Sequence, residues 1–182
     1  MELKKVELIE TPSIKKGYTL PIKKQKIDIM QGYNGPWSHF AFEYYKNIHD
    51  YRFAIDFKLP IDSVIYASKS GIIELVTDSQ ENFYTGFNAN EGYKLITNKI
   101  IINHEDGTYS LYSHIKKNSA KVSLRERINQ GQEIALTGLS GWIGKNPHLH
   151  FMVTDKYLTK TFPIKFEDYN GELYHKKIII LH

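Results

Sequence analysis

Cysteine is absent from all 182 positions of the chain, and that one gap closes several routes at once. There can be no disulfide framework, no thiolate nucleophile and no cysteine-held structural zinc. Any metal must be held by nitrogen and oxygen donors, the mix expected of a catalytic site rather than a structural one. Long apolar runs are missing as well. None approaches the roughly 20 residues of a membrane span, so no integral membrane segment is expected. The opening residues Met1, Glu2, Leu3, Lys4, Lys5, Val6 and Glu7 include acidic side chains and no hydrophobic h-region, so no signal peptide is visible. The expectation is a cytoplasmic protein or an exported one without its leader. No amphipathic helical pattern of any length, no repeat and no low-complexity tract is found.

What is present points to β structure. At 41% hydrophobic residues the chain can bury one domain core. Its 13 tyrosines and 9 phenylalanines, among short Ile, Val and Leu runs, favour strands. The net charge of +4 suits attraction to an anionic polymer. The lysines of the first 36 residues lack the helical or aromatic-interleaved pattern of a nucleic-acid patch, so no nucleic-acid partner is expected. Residues 1–36, with turn signals at Gly32 and Asn34-Gly35-Pro36, read as a lead-in packed on a domain spanning 37–182.

Three segments carry the chemistry. In Pro147-His148-Leu149-His150-Phe151 the two histidines are two apart, so an extended strand sends both to one face and Leu149, Phe151 and Val153 to the other. Phe53-Ala54-Ile55-Asp56-Phe57 alternates in the same way and sets Asp56 apart from three large apolar residues. Lys99–His104 and Thr108–His114 flank Glu105-Asp106-Gly107, a hairpin signal. With Asp106-Gly107 as a two-residue turn, His104 faces Tyr109 and shares its side with Leu111 and Ser113. That reading makes His104 structural and leaves His114 free to face a site. The polar stretch Asp78–Tyr93 is long enough for a functional loop. Gly138, Gly141 and Gly144 lead into the His148 strand, and His175 and His182 lack partners.

In this order, the segments resemble the lysostaphin-type (LytM-like) zinc metallopeptidases, which are peptidoglycan endopeptidases. The resemblance runs from about Gly32 to Val153. It rests on Ser38-His39, Ala54-Ile55-Asp56-Phe57, the Pro60–Gly71 stretch, Ile102–Thr108, Tyr112-Ser113-His114, Ile128–Ala135, Thr137–Gly141 and Pro147–Phe151. It implies a mainly β single domain on antiparallel sheet, with little helix and a substrate groove. It implies a Zn2+ cofactor and peptide crosslinks of peptidoglycan as substrate, in the cell envelope or outside the cell. Carried over residue by residue, Asp56 and His150 are metal ligands, and His114 and His148 are catalytic histidines beside the metal. The first ligand departs from the family's commonest pattern, because Arg52 stands four residues before the aspartate. His39 and His49 are the two candidates, and His39 is favoured because Ser38-His39 matches relatives with an insert there. Tyr33 resembles a family tyrosine that binds an oxyanion, although a packed tyrosine is the plainer reading.

Two imidazoles and a carboxylate would leave a bound divalent ion a net charge of about +1 and an open position for reaction. A different class of function follows from Arg52: a relative without catalysis, serving as a scaffold that binds cell wall or regulates another wall hydrolase. Asp56, His114, His148 and His150 together speak against a decayed site. A cupin-type site would want a glutamate where Val153 and Thr154 stand, and a metallo-β-lactamase-like site an aspartate at Met152.

Overall fold

The computed structural model describes residues 4–23, 26–44, 46–81, 83–84, 97–143 and 146–174. Among them there is no helix, and sixteen short strands build the fold. No helix is long and apolar enough to cross a membrane among the described residues. Seven strands form the central sheet, in the order Arg127–Ile128, Gly71–Thr77, Lys99–Asn103, Tyr109–Ser113, His148–Thr154, Ile55–Lys58, Ile29–Gln31. Every neighbouring pair in it is antiparallel. Beside it stand a three-stranded sheet of Lys4–Val6, Ala41–Tyr44 and Asn47–Asp50, and three two-stranded pairs, two of them parallel.

The alternation read from the sequence decides which side of the sheet is core. Phe53, Ile55 and Phe57 are buried together with Leu149, Phe151 and Val153, and with Ile100, Ile102 and Tyr112 from the next strands. Tyr18, Leu20 and Ile22 from the lead-in close the same core. The opposite face carries a smaller apolar cluster of Ala54, Ile101, Tyr109, Leu111 and Met152. Asp56, His148 and His150 lie on that second face, because the sheet pairs His150 with Asp56 on one side and with Ser113 on the other.

The hairpin differs from expectation by one residue. His104 pairs with Thr108 through its backbone N–H, at 3.0 Å, and Asn103 stands opposite Tyr109. The turn therefore holds three residues, Glu105, Asp106 and Gly107, with Glu105 and Gly107 at φ of 59° and 83°. Asn103 Oδ1 accepts from the Glu105 N–H and Asp106 Oδ1 from the Thr108 N–H, which holds the left-handed backbone in place. A one-residue slip sends each side chain to the other face. His104 consequently shares its side with Ser110 and Tyr112, not with Leu111 and Ser113. It is buried and tied at both nitrogens, to Ser70 O and Ser110 Oγ. Simple alternation would then carry His114 into the core after Tyr112. Its φ of 66° turns it back to the second face instead. The two histidines are separated as expected, but by a backbone twist at His114 rather than by hairpin register.

Burial pushes the His104 imidazole down to about 4, with its bond to Ser70 O only partly opposing the shift. The folded pKa lies below the unfolded value of about 6.5, so the unfolded chain binds the proton first as pH falls. The stabilisation is complete above about pH 6.5 and is lost progressively down to about pH 4. The loss is on the order of 3 kcal/mol for a shift of this size. Urea unfolding across this range should show stability falling with pH, and His104→Gln should remove a share of that slope. An unchanged slope in the variant would contradict it.

Candidate metal centre

Four histidines and one aspartate converge at one end of the second face. Asp56 comes from the Ile55–Lys58 strand and His148 and His150 from its sheet neighbour. His114 closes the Tyr109–Ser113 strand through its left-handed turn, and His39 arrives from the loop before Ala41–Tyr44. His39, Asp56 and His150 each offer a donor atom within 4.8 Å of the others, the one such group among the described residues. Asp56 Oδ1 lies 2.8 Å from His150 Nδ1, 3.3 Å from His39 Nε2 and 3.9 Å from His148 Nε2. The His114 ring stands 4.7 Å from that of His148 and 6.1 Å from that of His150.

Backbone carbonyls fix the histidine tautomers. A carbonyl oxygen only accepts, so the nitrogen facing it must carry the proton. His39 Nδ1 donates to Gly32 O at 3.0 Å, His114 Nδ1 to Ser140 O at 2.8 Å and His148 Nδ1 to Asn146 O at 2.9 Å. A neutral ring so held turns its Nε2 lone pair toward the cluster. His39 is fully buried, and its Nε2 makes no hydrogen bond. A lone pair facing a carboxylate oxygen in a dry site calls for a cation between them, whether proton or metal. Two imidazoles and a carboxylate, with one nitrogen left without a partner, fit a zinc-type ion by donor chemistry.

The electrostatics agree. Burial pushes the Asp56 carboxyl up. The proximity of the His39 and His148 imidazoles, with the hydrogen bond from His150, outweighs that and holds it well below the usual carboxylate range. Burial drives the His114 imidazole down to about 3, with His148 and His150 adding to the effect and the Ser140 carbonyl opposing it. His150 is lowered first by burial, against the pull of Asp56. The site is built to hold a neutral imidazole beside an ionised carboxylate.

The other candidates lie elsewhere. His49 is not an exposed loop residue. It pairs with Phe42 across the Ala41–Tyr44 and Asn47–Asp50 hairpin, with the two rings stacked at 5.4 Å. Tyr33 is packed in the main core, its hydroxyl bonded to Ile164 and its ring against Phe53. Arg52 points away from the cluster. Its guanidinium clamps Asp50 at 2.8 and 2.9 Å and donates to the carbonyls of Leu8 and Glu10. Of the Asp78–Tyr93 segment, residues 82 and 85–93 lie outside the described residues, as do Gly144, His175 and His182. The sequence reading passed over Gln31, which donates to Asp56 at 2.9 Å. Its signal, a lone buried amide after Ile29, is masked by a register shift in the strand that carries it.

Residues 50–161, more than half of the chain, match Peptidase family M23. The match takes in Asp56, His114, His148 and His150 and begins after His39. No curated protein matches the sequence. Among solved structures the chain is similar to a zinc-containing peptidase from Vibrio cholerae, at 23% identity over 80% of this chain and 38% of that one, with a TM-score of 0.53. It is also similar to the catalytic domain of the prophage-encoded M23 protein EnpA from Enterococcus faecalis, in mutant form. There the identity is 17% over 78% of this chain and 91% of that one, with a TM-score of 0.52. A chain in the complex of SpoIIIAH and SpoIIQ gives 14% over 80% and 96%, with a TM-score of 0.54. The chain spans well under half of the Vibrio protein, and at these identities the likeness is one of fold.

Arg52→Leu should separate this position from the metal centre. The variant leaves the Asp50 carboxylate, 4% exposed, without its clamp, a loss of about 3 kcal/mol or more in denaturant unfolding. Zinc uptake should equal that of the parent chain. Lost uptake in a folded variant would return Arg52 to the site.

Proposed function

This chain belongs to Peptidase family M23, and from that footing we propose that it is a zinc-dependent endopeptidase cutting peptide bonds in bacterial peptidoglycan crosslinks. The observation that carries the reading is the buried, unpartnered Nε2 of His39 facing Asp56 Oδ1, with His150 on the other side of the same oxygen. His39, Asp56 and His150 are the ligands. When bound there, zinc supplies Lewis acidity that polarises a carbonyl and acidifies water.

The remaining work falls to the two histidines that do not ligate. His114 and His148 hold their Nδ1 protons against Ser140 O and Asn146 O, which leaves each Nε2 free to exchange a proton. One takes a proton from the attacking water and returns it to the leaving amine nitrogen. Protonated, either ring donates to the oxygen that gains charge as the carbonyl is attacked. Their burial keeps bulk water from competing for these protons. The Ala41–Tyr44 and Asn47–Asp50 hairpin follows His39 directly and would wall one side of a groove for an extended peptide. The basic net charge suits an anionic wall, and membership of the family supports an activity in the cell envelope or outside the cell.

Digestion of purified peptidoglycan, followed by release of new amino groups, tests the reading. The zinc-loaded parent should digest it. His150→Ala should fail to hold zinc, and His114→Ala should hold zinc and lose about 10²- to 10⁴-fold in turnover. Metal loss in His114→Ala would overturn the division of roles. A parent that holds zinc and binds wall without releasing amines would replace the peptidase with a scaffold.

A further inference from the structure

Asp56 offers two carboxylate oxygens, and the histidines gather round only one of them. Oδ1 faces His39, His148 and His150, whereas Oδ2 accepts a hydrogen bond of 2.9 Å from Gln31 Nε2. Gln31 is 1% exposed and stands beside Asp56 at the end of the Ile29–Gln31 edge strand. Every hydrogen-bonding position of its amide is in use. Oε1 accepts from the Trp37 N–H at 2.8 Å and from the Ser38 N–H at 3.3 Å, and Nε2 also donates to Ser38 Oγ at 3.0 Å. Two N–H groups require an oxygen, so the orientation of the amide is fixed and its nitrogen must face the carboxylate. Gly35 makes room for it, since a Cβ there would lie 2.2 Å from Gln31 Cγ. The next residue, Gly32, supplies the carbonyl that holds His39 Nδ1. A two-residue stretch thus touches both upstream members of the cluster.

We propose that Gln31 is a positioning residue of the metal centre: its amide occupies Oδ2 of Asp56, presents Oδ1 alone to the ion, and ties the Trp37–His39 turn to the same carboxylate. The proposal rests on His39, Asp56 and His150 being the ligands. A carboxylate with both oxygens free can grip an ion with the pair and fill the position that reaction needs open. A neutral amide prevents this without adding charge, whereas a glutamate would set a second anion against Asp56. Partners of this kind, which orient a ligand from behind, are typically worth about 10- to 100-fold in metal affinity.

Gln31→Met keeps the length of the side chain and removes its donors and its acceptor. In the full chain, titrated against a chromophoric chelator, zinc should bind this variant about 10- to 100-fold more weakly than the parent. Cobalt loaded in place of zinc reads coordination directly. The parent should give the intense visible absorption of a four-coordinate ion, and the variant a weaker spectrum as the second oxygen joins. Gly35→Ala displaces the amide instead of deleting it, should move both readouts the same way, and carries the test if Gln31→Met does not fold. A parent that holds zinc, beside folded variants with unchanged affinity and spectrum, would overturn the role of Gln31 and leave the ligand set standing. A parent that holds no zinc would remove the ligand set and the role of Gln31 with it.

Discussion

A carboxylate that stays ionised out of contact with water organises this molecule. Asp56 is 3% exposed, and an unpaired charge at that depth would cost several kcal/mol. The fold answers by surrounding it: His150 and Gln31 donate to it, and His39 and His148 stand close by. The partners come from three separate stretches of chain, so satisfying one charge fixes how an edge strand, a loop and two central strands meet. The antiparallel pairing of His150 with Asp56 provides the frame. The left-handed turn at His114 adds the last ring.

The same arrangement orients the histidine rings. Backbone carbonyls at Gly32, Ser140 and Asn146 claim the Nδ1 protons of His39, His114 and His148, so their Nε2 atoms face inward. Only His39 among these has a buried nitrogen left without a partner, and it is the one opposite the carboxylate. In the proposed function, ligand and proton carrier are told apart by position rather than residue type. Arg52, four residues before Asp56, is taken into a clamp on Asp50 away from the site. The loop before Ala41 brings His39 to the site instead.

Much of this was legible in the sequence wherever a local period decides the outcome. The two-residue alternation at 53–57 and 148–153 separates the two faces of the sheet as observed, with Phe53, Ile55, Phe57, Leu149, Phe151 and Val153 in the core and Asp56, His148 and His150 opposite them. Local pattern could not show that these distant strands pair in register. It also placed the Glu105–Gly107 turn one residue short, because Asp-Gly signals a two-residue turn and the left-handed backbone at Glu105 is held by hydrogen bonds that the Asn103 and Asp106 side chains accept. Between the two candidates His39 and His49 local pattern could not decide, because it does not show that stacking on Phe42 holds His49 in a hairpin away from Asp56. Gln31 was not singled out, since a register shift breaks the alternation that would have marked it.

In the proposed site His39, Asp56 and His150, and not His49, hold one metal ion. The direct measurement is elemental mass spectrometry on the chain stripped with chelator, reloaded with zinc and freed of excess, run in parallel for His39→Ala and His49→Ala. Close to one zinc per chain is expected in the parent and in His49→Ala, and none in His39→Ala. A parent without zinc, or a His39→Ala variant that keeps it, would contradict the account.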